Sequence, residues 1–135
     1  MKVLVIDGQG GGLGKQLVVA IKAVCSEAEI TAIGTNSMAT NVMLKAGADN
    51  GATGENAIVV GCRDADIIVG PIGMVIADAL LGEITPRMAV AIGQSRAKRI
   101  MIPMNHCNNL IAGIPEQPVG RLVQSAVQHL KDAIN

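Results

Sequence analysis

Short apolar runs alternate along the chain with longer stretches in which apolar residues recur at helical spacing. Residues 3–6 form a continuous run rich in β-branched side chains that ends at Asp7, as expected for a parallel strand buried on both faces. The next stretch places Leu13, Leu17 and Ile21 on one helical face. This change from a strand pattern to a helical pattern predicts a strand–helix unit at the start of the chain.

The same alternation continues to the end of the chain. Further strands are predicted at residues 29–33, 66–70 and 99–102, with short ones within 47–54 and at 110–112. Helices are predicted at 38–46 after a Ser37 cap, at 55–62, at 74–81 up to Gly82, from Thr85-Pro86 to Gly93, and from residue 119 onward. We therefore expect a single domain, residues 1–135, with an α/β fold. It is a three-layer Rossmann-like domain with a mostly parallel sheet and helices on both faces.

The composition narrows the range of partners. Half of the 135 residues are hydrophobic, and 11 basic side chains balance 11 acidic ones. With no basic cluster and no Phe, Tyr or Trp to stack on bases, we expect no nucleic-acid binding. An apolar run of about 18 residues, which a membrane span requires, and an export signal are both absent, so we expect a cytoplasmic protein with no membrane association. Three dispersed cysteines fit reduced thiols.

A glycine-rich segment joins the first strand to the first helix. Glycine permits positive φ and close approach of a ligand to the backbone, and a helix N-terminus offers free N–H groups and a partial positive charge. Five glycines within seven residues exceed what a tight turn or a close helix–sheet contact requires, so we expect the loop to bind a phosphate or another anion. Lys15 is expected to add a cation. The predicted site residues here are Gly8, Gln9, Gly10, Gly11, Gly12, Leu13, Gly14 and Lys15.

The glycine spacing compares with two kinds of nucleotide loop. G-x-G-x-x-G does not fit because Leu13 stands where its last glycine would fall, whereas G-x-x-x-G-x-G fits Gly8, Gly12 and Gly14 and resembles the loop of short-chain dehydrogenases. The reaction of those enzymes depends on a Tyr that this chain lacks. Their chemistry is therefore not expected here, and NAD(P) or another nucleotide is the candidate for a cofactor that is bound only. A P-loop is the weaker comparison, since Gln16 replaces the hydroxyl residue that ligates magnesium.

Other predicted strand ends extend the candidate site, because ligands of parallel α/β sheets bind beyond the carboxyl ends of the strands. Thr35 and Asn36 follow the second strand and either hydrogen-bond a ribose or phosphate or cap the next helix. No acid for ribose hydroxyls and no Arg for a 2′-phosphate stand beside them. Gly70, Pro71 and Asn105 follow later strands and complete the predicted site.

The sequence assigns no catalytic residue and leaves open whether the protein is an enzyme. His106 and Cys107 are adjacent, and neighbours on an extended segment point to opposite sides, which disfavours a Cys–His pair. An enzyme acting through Cys107 or Cys62 remains an alternative. Without C-x-x-C or H-x-x-x-H spacing, no metal site is predicted. The apolar segment 72–81 predicts burial or a subunit interface and favours a homo-oligomer, so an oligomeric regulatory or scaffold protein with a vestigial nucleotide site is a further alternative.

Several phrases together are similar to one bacterial family. They are MKVLVIDGQGGGLGKQL, AIGTNSMAT, MLKAGADNGATGENAIVV, CRDADIIVGPIGMVIADALLGEITP and the stretch to MNHCN, and as a set they resemble the family known as domain of unknown function 3842. The resemblance covers nearly the whole chain. It implies a small bacterial Rossmann-like protein in which the GTN, GENA and VGPIG segments and the glycine loop recur together. It implies no activity, substrate or catalytic residue.

Overall fold

Strands and helices alternate through the chain in a computed structural model that describes residues 1–104 and 108–134. The strands are β1 (Lys2–Asp7), β2 (Glu29–Gly34), β3 (Asn50–Thr53), β4 (Ile67–Pro71) and β5 (Lys98–Ile102). The helices are α1 (Gly12–Val24), α2 (Ser37–Lys45), α3 (Glu55–Gly61), α4 (Pro86–Gln94) and α5 (Val119–Ile134), with one short 3₁₀ helix at Ile72–Val75. The predicted α/β alternation is confirmed.

The strands form one parallel sheet in the order β3-β2-β1-β4-β5. The central strand β1 pairs with β2 through Val5 and Ala32, and with β4 through Val5 and Val69. The chain leaves β1 toward β2 on one side and returns to β4 on the other. The sheet therefore has a topological switch point between β1 and β4, the place where α/β sheets of this kind bind ligands.

Two apolar layers hold the helices against the sheet. On one face α1, α2 and α5 contribute residues such as Leu17, Met43 and Val123 to a core that includes the alternate side chains of β1. On the other face Ile58 of α3 and Ile92 of α4 pack against the remaining β1 side chains. Because both faces of β1 are buried, its run of apolar residues is continuous, as the sequence indicated. The expectation of helices on both faces of the sheet is confirmed.

The helix predicted at residues 74–81 is wrong. The 3₁₀ helix ends at Val75, and the chain then bends through Asp78, Leu80 and Leu81, all with φ between 57° and 66°. The apolar density of this segment reflects burial rather than helical packing. Leu80 is buried whereas Leu81 is 97% exposed, so the two neighbouring side chains point in opposite directions. The turn ends where the amide of Asp78 donates to the carbonyl of Ile84, at 2.7 Å.

Three smaller expectations are also corrected. Residues 110–112 form no strand; the segment turns back through a 3.3 Å hydrogen bond from the Ile114 amide to the Ile111 carbonyl. The cap of α2 is Asn36, whose side chain accepts from the amide of Ala39, rather than Ser37. Helix α4 begins after its Thr85 cap as predicted but continues past Gly93 to Gln94. Within the described residues, no helix is both long and apolar enough to cross a bilayer.

Candidate ligand-binding site

The glycine loop opens onto a cavity of about 290 Å³ at the carboxyl ends of β1 and β4. This is the switch point of the sheet, so the predicted anion loop lies where the topology itself favours a ligand. The residues that line the cavity are Asp7, Gly8, Gln9, Gly10, Gly11, Gly12, Leu13, Gln16, Pro71, Leu80, Met104 and Val119.

Three of the five loop glycines are required by packing. A Cβ on Gly8 would come within 2.8 Å of the Glu83 carboxylate, and a Cβ on Gly14 would collide with the Met43 sulfur. Gly11 has φ +76°, and its Cβ would approach the backbone of Ala39 in α2 to 2.8 Å. These glycines set the path of the loop between the sheet and α2, which is a purely structural role that needs no ligand.

The other two glycines face open space. A Cβ on Gly10 or Gly12 would have no heavy atom of residues 1–104 and 108–134 within 4 Å, and neither glycine has a positive φ that favours glycine. Packing and backbone conformation therefore give no reason for glycine at these two positions. Both line the cavity, so the absence of side chains leaves their backbone accessible from it.

The loop amides divide in the same way. Amides of Gly10, Gly12 and Leu13 have no hydrogen-bond acceptor among residues 1–104 and 108–134. Gly12 and Leu13 begin α1, whose first N–H groups have no partner within the helix. Three donors without a partner therefore belong to residues that line the cavity, at the positive end of a 13-residue helix.

Asp7, at the end of β1, holds the two ends of the loop together. Its carboxylate accepts from the amide of Gly8 at 2.8 Å and from the amide of Gly14 at 2.7 Å. Burial raises the pKa of Asp7 above its ordinary value, the two backbone hydrogen bonds oppose this shift, and the nearby Glu83 charge adds to it. The residue was recognised in the sequence as a strand end, but not as part of the site, because Asp followed by Gly is also a common way to end a strand.

Glu83 reaches the loop from the turn before α4. Its Oε1 atom accepts from the Gln9 amide at 2.8 Å, from the Thr35 hydroxyl, and from the Asn36 side-chain amide at 3.1 Å. Burial alone would raise the pKa of Glu83, but these hydrogen bonds outweigh burial and lower it. Glu83 thus supplies an ionised carboxylate beside the end of β2, where the local sequence has no acid. Nothing in the local pattern signals this, since Glu83 is 48 positions from Thr35.

The remaining predicted site residues lie in different surroundings. Pro71 lines the cavity, whereas a Cβ on Gly70 would meet the Ile6 carbonyl within β1. Lys15 lies in a separate groove between α1 and α5, and Gln16 lines the cavity in its stead. Asn105 lies outside the described residues.

Thr35 and Asn36 do not line the cavity. Asn36 caps α2 through its oxygen, and its nitrogen donates to the Gln9 carbonyl as well as to Glu83. Of the two roles that the sequence left open for this residue, the structure shows helix capping. Leu80, Met104 and Val119 were missed as cavity residues, because each comes from a segment whose path depends on the tertiary fold.

The candidate nucleophiles are not activated where the structure describes them. Cys62 is buried, and burial raises the pKa of its thiol to about 11 even though Arg99 acts in the opposite direction. A thiol with that pKa carries little thiolate near neutrality. His106 and Cys107 lie outside the described residues. Among the described ones, no group of three or more His, Cys, Asp or Glu side chains is arranged to hold a metal ion.

Fold and site together define a Rossmann-like α/β protein with an open glycine loop at the switch point of its sheet. The chain belongs to the DUF3842 family, a domain of unknown function, whose family model matches residues 2–135. None of the curated proteins matches the sequence. Among solved structures, the chain is similar to a dodecameric FMN-dependent UbiX-like decarboxylase from Escherichia coli O157:H7. The two share 16% sequence identity with a TM-score of 0.50, over 97% of this chain and 76% of the other. At that identity the likeness establishes the fold alone.

Proposed function

We propose that the protein binds a nucleotide or another phosphorylated small molecule, with a phosphate against the amides of Gly10, Gly12 and Leu13. The observation that carries the proposal is that these donors have no acceptor within the described residues and belong to residues that line an open cavity. Backbone N–H groups at a helix N-terminus suit a phosphate because they donate in one direction and carry partial positive charge. The two unpacked glycines allow the phosphate to approach the backbone.

The size and charge of the cavity limit which ligands fit. Its volume of about 290 Å³ is near the lower end of the range for ligand pockets, about 300–1,000 Å³. This supports binding of a phosphate and the group next to it, with the rest of a larger nucleotide outside the cavity. None of the described residues that line it is a Lys or an Arg, so affinity rests on backbone amides and on the helix dipole.

Glu83 supports a preference for ligands with free hydroxyls. Three donors bind its Oε1 atom, and its Oε2 atom has no partner among the described residues. A carboxylate near the end of β2 accepts ribose hydroxyls in many dinucleotide-binding folds and repels a 2′-phosphate. We propose that Glu83 performs this role here, next to the cavity residue Gln9. NAD is then favoured over NADP, and the FMN of the structural neighbour belongs among the candidates.

Thermal unfolding with a panel of ligands tests the proposal. The panel contains NAD, NADP, AMP, ADP, ATP, FMN, an acyl-CoA, a sugar phosphate, inorganic phosphate and sulfate. A ligand at a hundred times its Kd stabilises the folded state by about 2.7 kcal/mol, which gives a measurable rise in Tm. No stabilisation by any member, phosphate and sulfate included, would overturn the proposal.

Two variants with matched surroundings show where the ligand binds. Gly12→Val should abolish the stabilisation, because it adds a branched side chain at a residue that lines the cavity and carries one of the free amides. Gly120→Val is the control, since Gly120 also lies in the first turn of a helix, and no atom of the described part of the chain lies within 4 Å of a Cβ there. Equal loss of stabilisation in both variants would contradict the assignment of the ligand to the loop.

Glu83→Gln should reduce any preference for NAD over NADP.

An oligomeric regulatory or scaffold protein is a second candidate function, favoured by two exposed side chains. Leu81 is 97% exposed and Leu110 is 94% exposed, and burial of a leucine side chain against a partner would contribute about 1.5–3 kcal/mol. Light scattering on the wild type and on Leu81→Ser and Leu110→Ser variants tests this candidate. A monomer at all concentrations that binds a cofactor tightly would contradict it.

A further inference from the structure

Arginines are concentrated on the face of the molecule formed by α3 and α4. The chain has five arginines, and four of them, Arg63, Arg87, Arg96 and Arg99, belong to this region. The fifth, Arg121, lies in the first turn of α5, which packs on the opposite face of the sheet. The six lysines, by contrast, are spread along the chain. Acidic and basic side chains are therefore equal in number over the whole chain, but one surface is locally positive.

Three of these arginines line a groove of about 420 Å³ between α3 and α4. The groove is also lined by Val59, which is partly buried, and by Val90, which is 53% exposed. An exposed aliphatic side chain between guanidinium groups offers a partner both apolar contact and charge pairing. Arginine is enriched in protein interfaces for this combination of planar charge and apolar stem.

The positive charge of the groove is poorly compensated within the molecule. Arg63 and Arg96 form no ion pair among the described residues, and Arg87 reaches Glu55 only at 3.4 Å. Glu55 also accepts a 2.6 Å hydrogen bond from the hydroxyl of Thr85. Its charge is therefore shared between two donors. The groove keeps a net positive charge that a negatively charged partner would neutralise.

Arg99 has a different role. Its guanidinium donates to the carbonyl of Ser95 at 2.7 Å, beyond the last turn of α4. This hydrogen bond fixes it against the end of the helix, where a cation is also favoured by the dipole. Arg99 thus adds positive charge next to the groove while its side chain remains held by the protein.

We infer that the α3–α4 groove binds a short acidic segment of another protein, one that carries at least one aliphatic side chain. The two helices are short, and the 9 residues of α4 extend over about 13 Å at about 1.5 Å per residue. An extended peptide at about 3.3 Å per residue covers that length with about four residues. A nucleic acid fits less well, because the apolar lining offers nothing to phosphates and the chain has no aromatic side chain to stack on bases.

Selection from a displayed library of random peptides tests the inference on the full chain. Wild-type protein is used for selection, and the double variant Arg63→Glu/Arg96→Glu for counter-selection. Both side chains are exposed, so the variant should keep the Tm of the wild type. Selected peptides should be enriched in Asp and Glu together with Leu, Ile or Val. A set without that acidic enrichment would overturn the inference.

Fluorescence anisotropy of a labelled selected peptide then gives the size of the effect. Reversal of two exposed charges should weaken binding roughly tenfold, since two favourable pairs are lost and replaced by repulsion between like charges. Arg121→Glu is the matched control on the opposite face and should bind as the wild type does. Equal affinity in the double variant, or equal competition by a single-stranded oligonucleotide, would contradict the inference. So would a change of oligomeric state in the double variant, which would assign the groove to contacts between copies of this chain.

Discussion

Two kinds of glycine occupy the same loop, and they differ in what surrounds them. Gly8, Gly11 and Gly14 are enclosed by the sheet, by α2 and by the turn that carries Glu83, whereas Gly10 and Gly12 face open space. In the sequence the five are indistinguishable. The difference teaches that the structural and the ligand-binding explanations of a glycine-rich loop are both correct here, at different positions. The packed glycines shape the loop, and we propose that the open ones allow a ligand to reach it.

The largest predicted effect separates the packed glycines from the open ones. Gly11→Ala should lower the free energy of unfolding by about 2–5 kcal/mol, because it combines a left-handed backbone with overpacking against α2. Chemical denaturation measures this difference. A loss no larger than the about 1–2 kcal/mol that strain at that φ costs alone would mean that the loop is not enclosed by α2 at Gly11.

Gly113→Ala is the control for backbone strain. Gly113 has φ +79°, close to the +76° of Gly11, and a Cβ there would have no atom of the described residues within 4 Å. The variant should cost only the conformational part, about 1–2 kcal/mol. The difference between the two variants then measures the contact with α2.

The next effect concerns the turn that closes one side of the loop. Glu83→Ala removes a carboxylate that three donors bind and should cost about 2 kcal/mol, with allowance for its partial exposure. Glu116→Ala, in the exposed segment before α5, should change the stability by less than about 0.5 kcal/mol. Equal effects of the two substitutions would show that Glu83 does not hold the loop in solution.

The pH dependence of Glu83 should differ in sign from that of Asp7. The native pKa of Glu83 is lowered below 4.5, so its stabilisation is fully present above the unfolded value and is lost as the pH falls through the native one. The native pKa of Asp7 is raised above 3.8, so its contribution becomes more favourable as the pH falls from neutrality through the native value toward 3.8.

Comparison of the wild type with Glu83→Gln and with Asp7→Asn between pH 3 and pH 7, in roughly half-unit steps, measures both contributions. The difference between wild type and Glu83→Gln should shrink on acidification. The difference between wild type and Asp7→Asn should change in the opposite direction. Parallel changes in the two comparisons would contradict the opposite pKa shifts of the two carboxyl groups.

The smallest predicted effect is at the open glycines. Gly12→Ala should leave stability unchanged or raise it by up to about 1 kcal/mol, because alanine favours a helix where it meets no neighbour. Gly120→Ala, in the first turn of α5, should change the free energy of unfolding by a similar amount. A marked loss of stability in Gly12→Ala alone would reveal packing around Gly12 and weaken the distinction between the two kinds of glycine.

Much of the fold could be predicted from local sequence patterns, whereas most of the residues that close the site around the glycine loop could not. The run at residues 3–6 and the cap at Thr85 were recognisable because burial on both faces and capping leave local signatures. The segment 74–81 has equally dense apolar residues, but positive φ at Asp78 and Leu80 redirects them in a way that composition does not reveal. Its turn also brings Glu83 to the loop, so the missed helix and the missed acid have one cause.

The central claim is that Gly10, Gly12 and Leu13 present free amides to an anion. Titration of ¹⁵N-labelled protein with inorganic phosphate, followed by amide chemical shifts, tests it residue by residue. The account predicts saturable shifts at these three amides. Gly8 and Gly14 should change little, because their amides already donate to Asp7. Shifts that do not saturate, or that are no larger at the open positions than at Gly8 and Gly14, would contradict it.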